Sequence, residues 1–330
     1  MGIVCRTALA LLACTTGMLA GCSSTSSTAS RSTSPPARTT SSSPAAPTHP
    51  WVVQRIRTGS QPCATLGAAG SVWVADIVDN TVSRLDPKTG KVLAKITTDA
   101  GPCGMAYGAG SIWVEDYTAS SATRIDVATS KATTIPVGTS PYDVTFAGGA
   151  AWVTNYGDAT VTRIDAATNH TATIKVGQHP VGIAPAGGAI WVADSGSGSV
   201  SRIDQSTLKV TTIDFGGQPY WTAYQADTVW IGDQASGEIA RIDARTGRIT
   251  NRAKVGSAPN DGDASGGFVW FPDKDGSLYR LNVATNAVAG PFAIDAANPF
   301  VVSSYEGRLW IADFGGTDTI VVDPTKLPAP

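Results

Sequence analysis

The residues best suited to chemistry follow a proline that recurs every 39 or 40 residues. The seven prolines are Pro62, Pro102, Pro141, Pro180, Pro219, Pro259 and Pro299. The two residues after each proline differ greatly, and some of these pairs are aromatic or acidic. The candidate ligand-binding residues are Tyr142, Asp143, Tyr220, Trp221, Asn260, Asp261 and Phe300, together with Tyr156 from a neighbouring segment. Aromatic faces beside carboxylates suit a partly apolar ligand that carries hydroxyl, amine or cationic groups.

Side chains for acid–base catalysis are scarce. Histidine is the most frequent general base in enzymes, and this chain has three. His49 precedes the repeats, His170 falls in a turn segment, and His179 stands before its proline rather than after it. We therefore predict no catalytic residue, unless a tyrosine or aspartate takes the role of the base.

Two acidic segments could supply oxygen ligands to a metal ion. They are Asn260-Asp261-Gly262-Asp263 and Asp273-Lys274-Asp275. Calcium or magnesium would suit such oxygens. The spacing matches no complete metal-binding loop, so we interpret these residues as solvated turn carboxylates. We predict no cofactor and keep Ca²⁺ or Mg²⁺ as the alternative.

The elements that position these residues are marked by a repeated tryptophan. Its positions are Trp73, Trp113, Trp152, Trp191, Trp230, Trp270 and Trp310. Each lies in an alternating segment rich in β-branched residues, such as residues 71–76, and this pattern predicts a strand. Because the tryptophan recurs in every copy, we expect it to pack between repeats rather than to bind sugars.

Each repeat divides into four short strands separated by turn residues, as residues 141–177 show. Four strands in about 40 residues is the unit of a β-propeller blade. The last repeat lacks its fourth strand, and residues 51–62 match that strand and the turn after it. We therefore predict an all-β, seven-bladed β-propeller over residues 51–330. Its N-terminal strand should join the last blade and close the ring, which removes exposed sheet edges.

Three other repeated sets are interpreted as architecture. The arginines at 84, 124, 163, 202, 241 and 280 are expected to pair with acids on neighbouring strands. Aspartates such as Asp86 precede turns, where their side chains bond to the backbone. The residues that end each second strand are interpreted as turn caps, and they are Asp76, Asp116, Asn155, Asp194, Asp233, Asp273 and Asp313.

The repeats resemble the YVTN-type propeller family over residues 51–323. The motifs that carry the resemblance are Trp152-Val-Thr-Asn155 and residues 161–168 followed by Val176-Gly177, with Trp in the place usually given to Tyr. The Gly-x-x-Pro and Trp-Val spacing is also similar to streptogramin (virginiamycin B) lyases. That resemblance implies a site at the channel mouth that uses His and Glu, with His commonly just after the loop proline. Here that position holds Cys, Cys, Tyr, Val, Tyr, Asn and Phe.

The first 50 residues differ in composition from the rest. Arg6 is followed by an apolar stretch over residues 8–19, which is too short to span a bilayer and is typical of a signal-peptide core. Leu19-Ala20-Gly21-Cys22 resembles the lipobox of bacterial lipoproteins, which implies a signal peptide over residues 1–21 and a lipid on Cys22. The alternative is an ordinary secretory signal. Residues 22–50 are rich in Ser, Thr, Ala and Pro and are expected to form a disordered tether on the outer face of the cytoplasmic membrane.

Cys63 and Cys103 occupy the same place in consecutive repeats, one residue after the proline. If the inner strands stand roughly 7 Å from a sevenfold axis, these Cα atoms are about 6 Å apart, which a disulfide tolerates. Exported proteins also meet oxidising conditions. We predict a Cys63–Cys103 disulfide, with free thiols or a soft metal site as the alternatives.

Charge restricts the partners. Three of the 24 basic residues precede residue 51 and no acidic residue does, which leaves 21 basic against 26 acidic residues in the body. Nucleic acid needs clustered basic residues, so it is not an expected partner, and the membrane is expected to bind only the lipid. We expect a monomeric, non-catalytic surface module that binds a small molecule, a cell-wall component or an exported protein. The alternative is a lyase or hydrolase that acts on a cyclic or sugar-like compound.

Overall fold

The computed structural model describes residues 48–225 and 227–329. The predicted signal peptide, Cys22 and nearly all of the predicted tether lie outside the described residues. Within the described part, no helix is long and apolar enough to cross a membrane.

Nearly all regular structure is β-strand. The strands in chain order are β1 (Val52–Arg57), β2 (Pro62–Ala68), β3 (Ser71–Asp76), β4 (Thr81–Leu85), β5 (Val92–Thr97), β6 (Pro102–Gly108), β7 (Ser111–Asp116), β8 (Ser121–Asp126), β9 (Ala132–Pro136), β10 (Pro141–Ala147), β11 (Ala150–Asn155), β12 (Thr160–Asp165), β13 (Thr171–Lys175), β14 (Pro180–Ala186), β15 (Ala189–Asp194), β16 (Ser199–Asp204), β17 (Val210–Asp214), β18 (Pro219–Gln225), β19 (Thr228–Asp233), β20 (Glu238–Asp243), β21 (Ile249–Lys254), β22 (Asp263–Ser265), β23 (Phe268–Pro272), β24 (Ser277–Asn282), β25 (Val288–Ala293), β26 (Pro299–Tyr305), β27 (Arg308–Asp313) and β28 (Asp318–Val322). A single 3-10 turn, Pro324–Lys326, follows β28.

These strands form seven antiparallel sheets of four strands each, which we call blades 1 to 7. Blade 1 is β2-β3-β4-β5, and each following blade takes the next four strands up to β22-β23-β24-β25 in blade 6. Blade 7 has the order β26-β27-β28-β1. The prediction of an all-β, seven-bladed propeller closed by the N-terminal strand is therefore confirmed.

Ring closure involves the strand and the residues before it. β1 pairs antiparallel with β28, with Val52 opposite Val322 and Arg57 opposite Asp318. The indole of Trp51 donates a hydrogen bond to the carbonyl of Ala293, in blade 6, at 2.8 Å. His49, which the sequence assigns to the tether, stacks on Trp51 with ring centroids 5.0 Å apart. The chain therefore contacts blade 6 through Trp51, just before the first strand, and blade 7 through β1 itself.

The repeated tryptophans pack between blades, as predicted. Trp113 of blade 2 is buried against Val153 and Ile164 of blade 3. Trp310 of blade 7 is buried with Val72 of blade 1 in the same way, across the point of closure. Because each large ring removes apolar surface from water at a blade interface, the set stabilises the whole ring.

The repeated arginines do not pair with acids in the way the sequence suggested. In the register of blade 1, Arg84 stands opposite Trp73, and its guanidinium carbon lies 5.1 Å from the ring centroid. Its Nε also donates to the hydroxyl of Ser71 at 2.8 Å. Of the six repeated arginines, only Arg163 forms an ion pair within the described residues, with Asp165 at 3.9 Å. Five of the six make a cation–π contact with the tryptophan of the neighbouring strand, namely Arg84, Arg124, Arg163, Arg202 and Arg280.

The repeated aspartates organise loops. Oδ1 of Asp86 accepts the backbone N–H groups of Lys88 and Thr89 at 2.9 and 2.8 Å, which is the predicted turn-capping bond. The carboxylates that end the second strands are buried, and those of Asp76, Asp116 and Asp194 accept hydroxyl bonds from the third strand. Thr123, for example, donates to Oδ2 of Asp116 at 2.7 Å. Both sets are structural, as their recurrence in the sequence indicated.

Candidate functional site

The loop prolines and the ends of the second strands lie at one face of the ring. Pro62 stands opposite Asp76, and Pro141 stands opposite Asn155. We call this face the mouth, and we call the face that carries the turns between the inner and second strands the opposite face. The register shifts within the first few residues after each proline, so strict strand alternation does not apply there.

Aromatic rings from blades 2 to 5 meet at the mouth and form what we call the mouth cluster. Tyr142 is at its centre, with ring centroids 6.1 Å from Tyr117, 5.9 Å from Tyr156 and 5.8 Å from Tyr220. His179 stacks on Tyr156 at 4.5 Å, with the two rings 10° from parallel. The four tyrosines are half-buried and His179 is exposed, so the cluster is both packed and accessible.

The phenol groups of Tyr142 and Tyr220 contact each other. These residues belong to blades 3 and 5, so their hydrogen bond spans the inner strand of blade 4. Burial raises the pKa of Tyr142 well above its usual value, and burial likewise raises the pKa of Tyr220. Both groups therefore stay protonated at neutral pH and act as hydrogen-bonding phenols rather than as bases.

Phe300 reaches the same face from blade 7. Its ring lies 5.4 Å from Phe314, which follows β27. The two rings form a second, smaller aromatic pair on the mouth. Tyr142, Tyr156, Tyr220 and Phe300 therefore all lie at the mouth, and their role in binding stays a prediction.

Trp221 does not line the mouth. It is 1% exposed and stacks on Phe271 between blades 5 and 6 at 6.1 Å. The space it fills exists because Gly232 stands beside it, where a Cβ atom would lie only 2.0 Å from the indole nitrogen. Trp221 is therefore a core residue, and we remove it from the candidate binding residues.

Asn260 is also structural. It is 1% exposed, and its amide nitrogen donates to the carbonyl of Pro299 at 2.8 Å. Its backbone N–H donates to the carbonyl of Pro272 at 2.8 Å. Asn260 thereby ties the short inner segment of blade 6 to its own second strand and to blade 7, and we remove it from the candidates as well.

Asp143 and Asp261 lie below the mouth and line the axial channel. The carboxylate of Asp143 accepts the N–H of Val144 at 2.7 Å and of Ile183 at 3.1 Å. Burial raises the pKa of Asp143 to about 7. Burial, and then repulsion from Asp143, raise the pKa of Asp261 well above its usual value. The two carboxyl groups therefore interact electrostatically with each other.

Glu115 is a buried acid that the sequence reasoning missed. It is 1% exposed, and Oε1 accepts the N–H of Gly104 at 2.9 Å while Oε2 has no partner among the described residues. Burial raises the pKa of Glu115 well above its usual value, and the charges of Asp116 and Asp143 add to the rise. A signal was present, because the other six repeats place Ala, Thr, Ala, Gly, Pro and Ala at this position.

The predicted disulfide is present. Cys63 and Cys103 are bonded, and their Cα atoms are 5.1 Å apart. Both residues are buried at the start of adjacent inner strands, so the bond fastens blade 1 to blade 2 at the mouth.

The two acidic segments of blade 6 perform separate tasks. Asp273 accepts the N–H groups of Ser257 and Ala258, and Asp275 accepts the hydroxyl of Tyr279 at 2.8 Å. Asp263 accepts the N–H of Ser304 at 2.8 Å. No group of three His, Cys, Asp or Glu side chains in the described ranges is placed to hold a metal ion.

Comparison with known proteins shows the fold but no family. No family model matches the chain, the YVTN repeat included, and no curated protein matches it. The structure is similar to selenomethionine-substituted virginiamycin B lyase from Staphylococcus aureus, with a TM-score of 0.71 and 18% identity over 82% of this chain and 98% of that chain. A catalytically inactive variant of the same enzyme with quinupristin gives a TM-score of 0.71 and 17% identity over the same shares.

Proposed function

We propose that this protein is an exported, lipid-anchored propeller that binds a ligand at its mouth and does not catalyse a reaction. The mouth cluster carries the proposal, because it presents four half-buried tyrosines and an exposed histidine on one face. Their ring faces and phenol groups suit a partly apolar molecule that bears hydroxyl or amine groups. The ligand is a small molecule, a cell-wall component or part of another exported protein.

The chemistry at the mouth favours binding over catalysis. In the lyases that the fold resembles, a histidine commonly follows the loop proline, and in this chain none of the seven positions holds one. His179 is the histidine that reaches the mouth in the described chain, and it stacks on Tyr156. Tyr142 and Tyr220 are held in the protonated form by burial, so neither supplies a base.

One observation favours the alternative of a lyase or hydrolase. The raised pKa of Asp143, about 7, is in the range that suits general acid–base catalysis at neutral pH. However, Asp143 lies below the mouth cluster and its oxygens already accept two backbone N–H groups. Binding is therefore the function that the geometry supports best.

The test is a ligand screen on the full chain in detergent, with substitutions on the two faces. The panel contains aromatic amines, the soluble disaccharide of peptidoglycan and quinupristin, measured by ligand-observed NMR. Tyr156→Ala should weaken binding of the responding compound by about tenfold or more, since the stacked platform is removed. Tyr107→Ala, an exposed tyrosine of the opposite face, is the matched control and should leave binding unchanged.

Two results would oppose the proposal. Opening of the quinupristin ring in the presence of Mg²⁺ would establish an enzyme. If no compound in the panel binds in a way that depends on Tyr156, the mouth cluster is packing rather than a binding surface.

A further inference from the structure

A groove of about 460 Å³ lies between blades 6 and 7 and opens at the opposite face. Two turns of that face, around Gly266 in blade 6 and Gly307 in blade 7, form its rim. Strands β23 and β24 form one wall, and the start of β27 and the segment after β28 form the other. The groove shares no lining residue with the axial channel, so it is separate from that channel and from the mouth.

Backbone hydrogen bonding accounts for the open space at this place. In each of blades 2 to 6, the residue that follows the third strand donates its N–H to a carbonyl beside the turn between the inner and second strands. In blade 2, for example, Val127 donates to Gly110 at 3.1 Å. Pro324 takes this place in blade 7, and a proline has no N–H to donate. Blade 1 also has a proline there, Pro87, but blade 7 faces it with Val321 instead of an arginine.

Arg280 is the buried cation in the wall of this groove. It is 5% exposed, and it forms no ion pair among the described residues. Its Nη2 donates to the carbonyl of Pro328 at 2.6 Å, and its Nε is fully buried without a partner. Its Nη1 has no hydrogen-bond partner in the described chain either but, unlike Nε, it is accessible to solvent. Because the groove is the open space beside this side chain, the N–H bonds of Nη1 face the groove.

The corresponding arginine of another blade has all of these partners. In blade 2, Nε of Arg124 donates to the hydroxyl of Ser111 at 2.9 Å, and Nη1 donates to the carbonyl of Ala166 in the next blade at 2.7 Å. In blade 6, Phe268 replaces the serine, and Pro324 stands where the next blade would supply the carbonyl. Arg280 therefore lacks two partners that its equivalent has, at a place where the repeats diverge.

Aromatic rings lie beside the guanidinium. Its carbon is 5.0 Å from the ring centroid of Phe268 and 5.8 Å from that of Trp270, and both residues line the groove. Tyr305 and Leu309 extend the apolar wall on the side of blade 7. Ring faces offset part of the cost of burying a cation, but a buried charge is normally also paired with an opposite charge. An anion with an apolar body would contact both kinds of wall.

The other charges of the groove favour a single negative charge on the ligand. Arg308 is already paired with Asp323, with Nη1 2.9 Å from Oδ2. Glu306 is an exposed acid on the rim, so it would repel a second negative charge. The positive charge of Arg280 is the one that a ligand can balance.

We propose that the groove between blades 6 and 7 binds a small monocarboxylate that has an aromatic body. The carboxylate accepts the N–H bonds of Nη1 of Arg280, which is a charge-assisted hydrogen bond. The aromatic body packs against Phe268 and Tyr305. A volume of about 460 Å³ is within the range of small-molecule pockets.

The test is isothermal titration calorimetry on the full chain in detergent, at constant ionic strength and neutral pH. The probes are 3-phenylpropanoate and indole-3-acetate. The controls are 3-phenylpropan-1-ol, which has no charge, acetate, which has no ring, and phenyl phosphate, which has a second charge. We expect both aromatic carboxylates to bind, and each control to bind more weakly by about tenfold or more.

Two substitutions test the groove in different ways. Arg280→Gln should weaken carboxylate binding by about tenfold or more, because the charged donor is lost. Phe268→Ser keeps the charge but restores the serine of blade 2, so it should also weaken binding by removing the ring and giving Nε a protein partner. Arg124→Gln, in the arginine whose bonds are complete, is the matched control and should leave binding unchanged. Tyr156→Ala should also leave it unchanged, so this site and the proposed mouth site can fail separately.

Several outcomes would overturn the proposal. They are an absence of heat from both carboxylates up to about 10 mM, equal binding of the alcohol or of acetate, tighter binding of phenyl phosphate, or equal effects of Arg280→Gln and Arg124→Gln. Thermal unfolding checks that each variant is folded. If Arg280→Gln does not fold, Phe268→Ser decides the question, and unchanged carboxylate binding by that variant would contradict the proposal.

Discussion

Asp116 shows how a buried, repeated carboxylate makes stability depend on pH. Burial raises the pKa of Asp116 to about 7, and those of Asp76 and Asp194 to about 6. Between pH 4 and 7 the folded state therefore binds more protons than the unfolded state, and the free energy of unfolding falls as the pH rises. We expect the melting temperature of the protein to be higher at about pH 5 than at about pH 8.

Replacing this carboxylate by its amide should remove part of that dependence. Blade 3 already has Asn155 at the same position, where the amide donates to the hydroxyls of Thr160 and Thr162 at 2.9 Å each. Asp116→Asn should stabilise the protein by about 1–2 kcal/mol at pH 8, because folding of the parent chain buries a charged carboxylate at that pH. It should have little effect at pH 5, because the Asp116 carboxyl group is then protonated in the folded state. Urea unfolding at both pH values measures the difference.

Asp126→Asn in the same blade is the matched control. Bonds from Thr129 lower the pKa of Asp126, so its contribution to stability is lost only as the pH falls below about 4. This variant should lower stability equally at pH 5 and pH 8. An Asp116→Asn variant with the same pH dependence as the parent chain would contradict the assignment.

The candidate site could be predicted from the sequence only where side-chain direction followed from the repeat. Tyr142 and Tyr220 were correctly placed at the mouth because they follow the loop proline directly. Trp221 was misplaced because the register shifts between Pro219 and Thr222, so alternation cannot be counted across that step. Its burial also depends on the space beside Gly232, which lies in a different strand.

At the scale of elements, strand β1 provides the test of ring closure. Ile56 is buried at 7% exposure between Val72 and Val321, in the interface of blades 1 and 7. Ile56→Ala should destabilise the protein by about 2–4 kcal/mol, since it opens a cavity where the ring closes. Chemical denaturation should show this loss as a shift of one cooperative transition, because every blade contacts its neighbours.

Arg57→Ala is the control for this prediction. Arg57 is the exposed last residue of the same strand, so its removal should change stability by less than about 0.5 kcal/mol. Equal effects of the two substitutions would mean that β1 adds little to the ring.

The strands themselves were predictable because Trp, Arg and Asp recur at fixed places. The three-residue β22 was not, because Asn260 bonds to the neighbouring carbonyls of Pro272 and Pro299 instead of extending a strand.

At the scale of the whole molecule, the ring presents two chemically different faces. The mouth carries tyrosines and a disulfide, while the opposite face opens into a groove that contains the buried Arg280. The fold resembles virginiamycin B lyase over 98% of that chain, yet identity is only 18%, and the residues at the mouth differ from the His-containing pattern. A sequence can specify such a ring through its repeats and still leave the ligand undetermined, because ligand contacts lie where the repeats diverge.

The location of the molecule can be tested independently of its ligand. If the lipobox resemblance is correct, Cys22→Ala should abolish fatty-acid labelling of the protein, because the thiol that carries the lipid is gone. The protein should then appear in the soluble fraction or the medium, since a single protein–lipid linkage accounts for its membrane binding. The melting temperature should not change, because Cys22 precedes the residues that form the blades. Cys14→Ala, in the apolar stretch of the predicted signal peptide, is the control and should retain the label. Persistent labelling of Cys22→Ala would mean that the lipid is attached elsewhere.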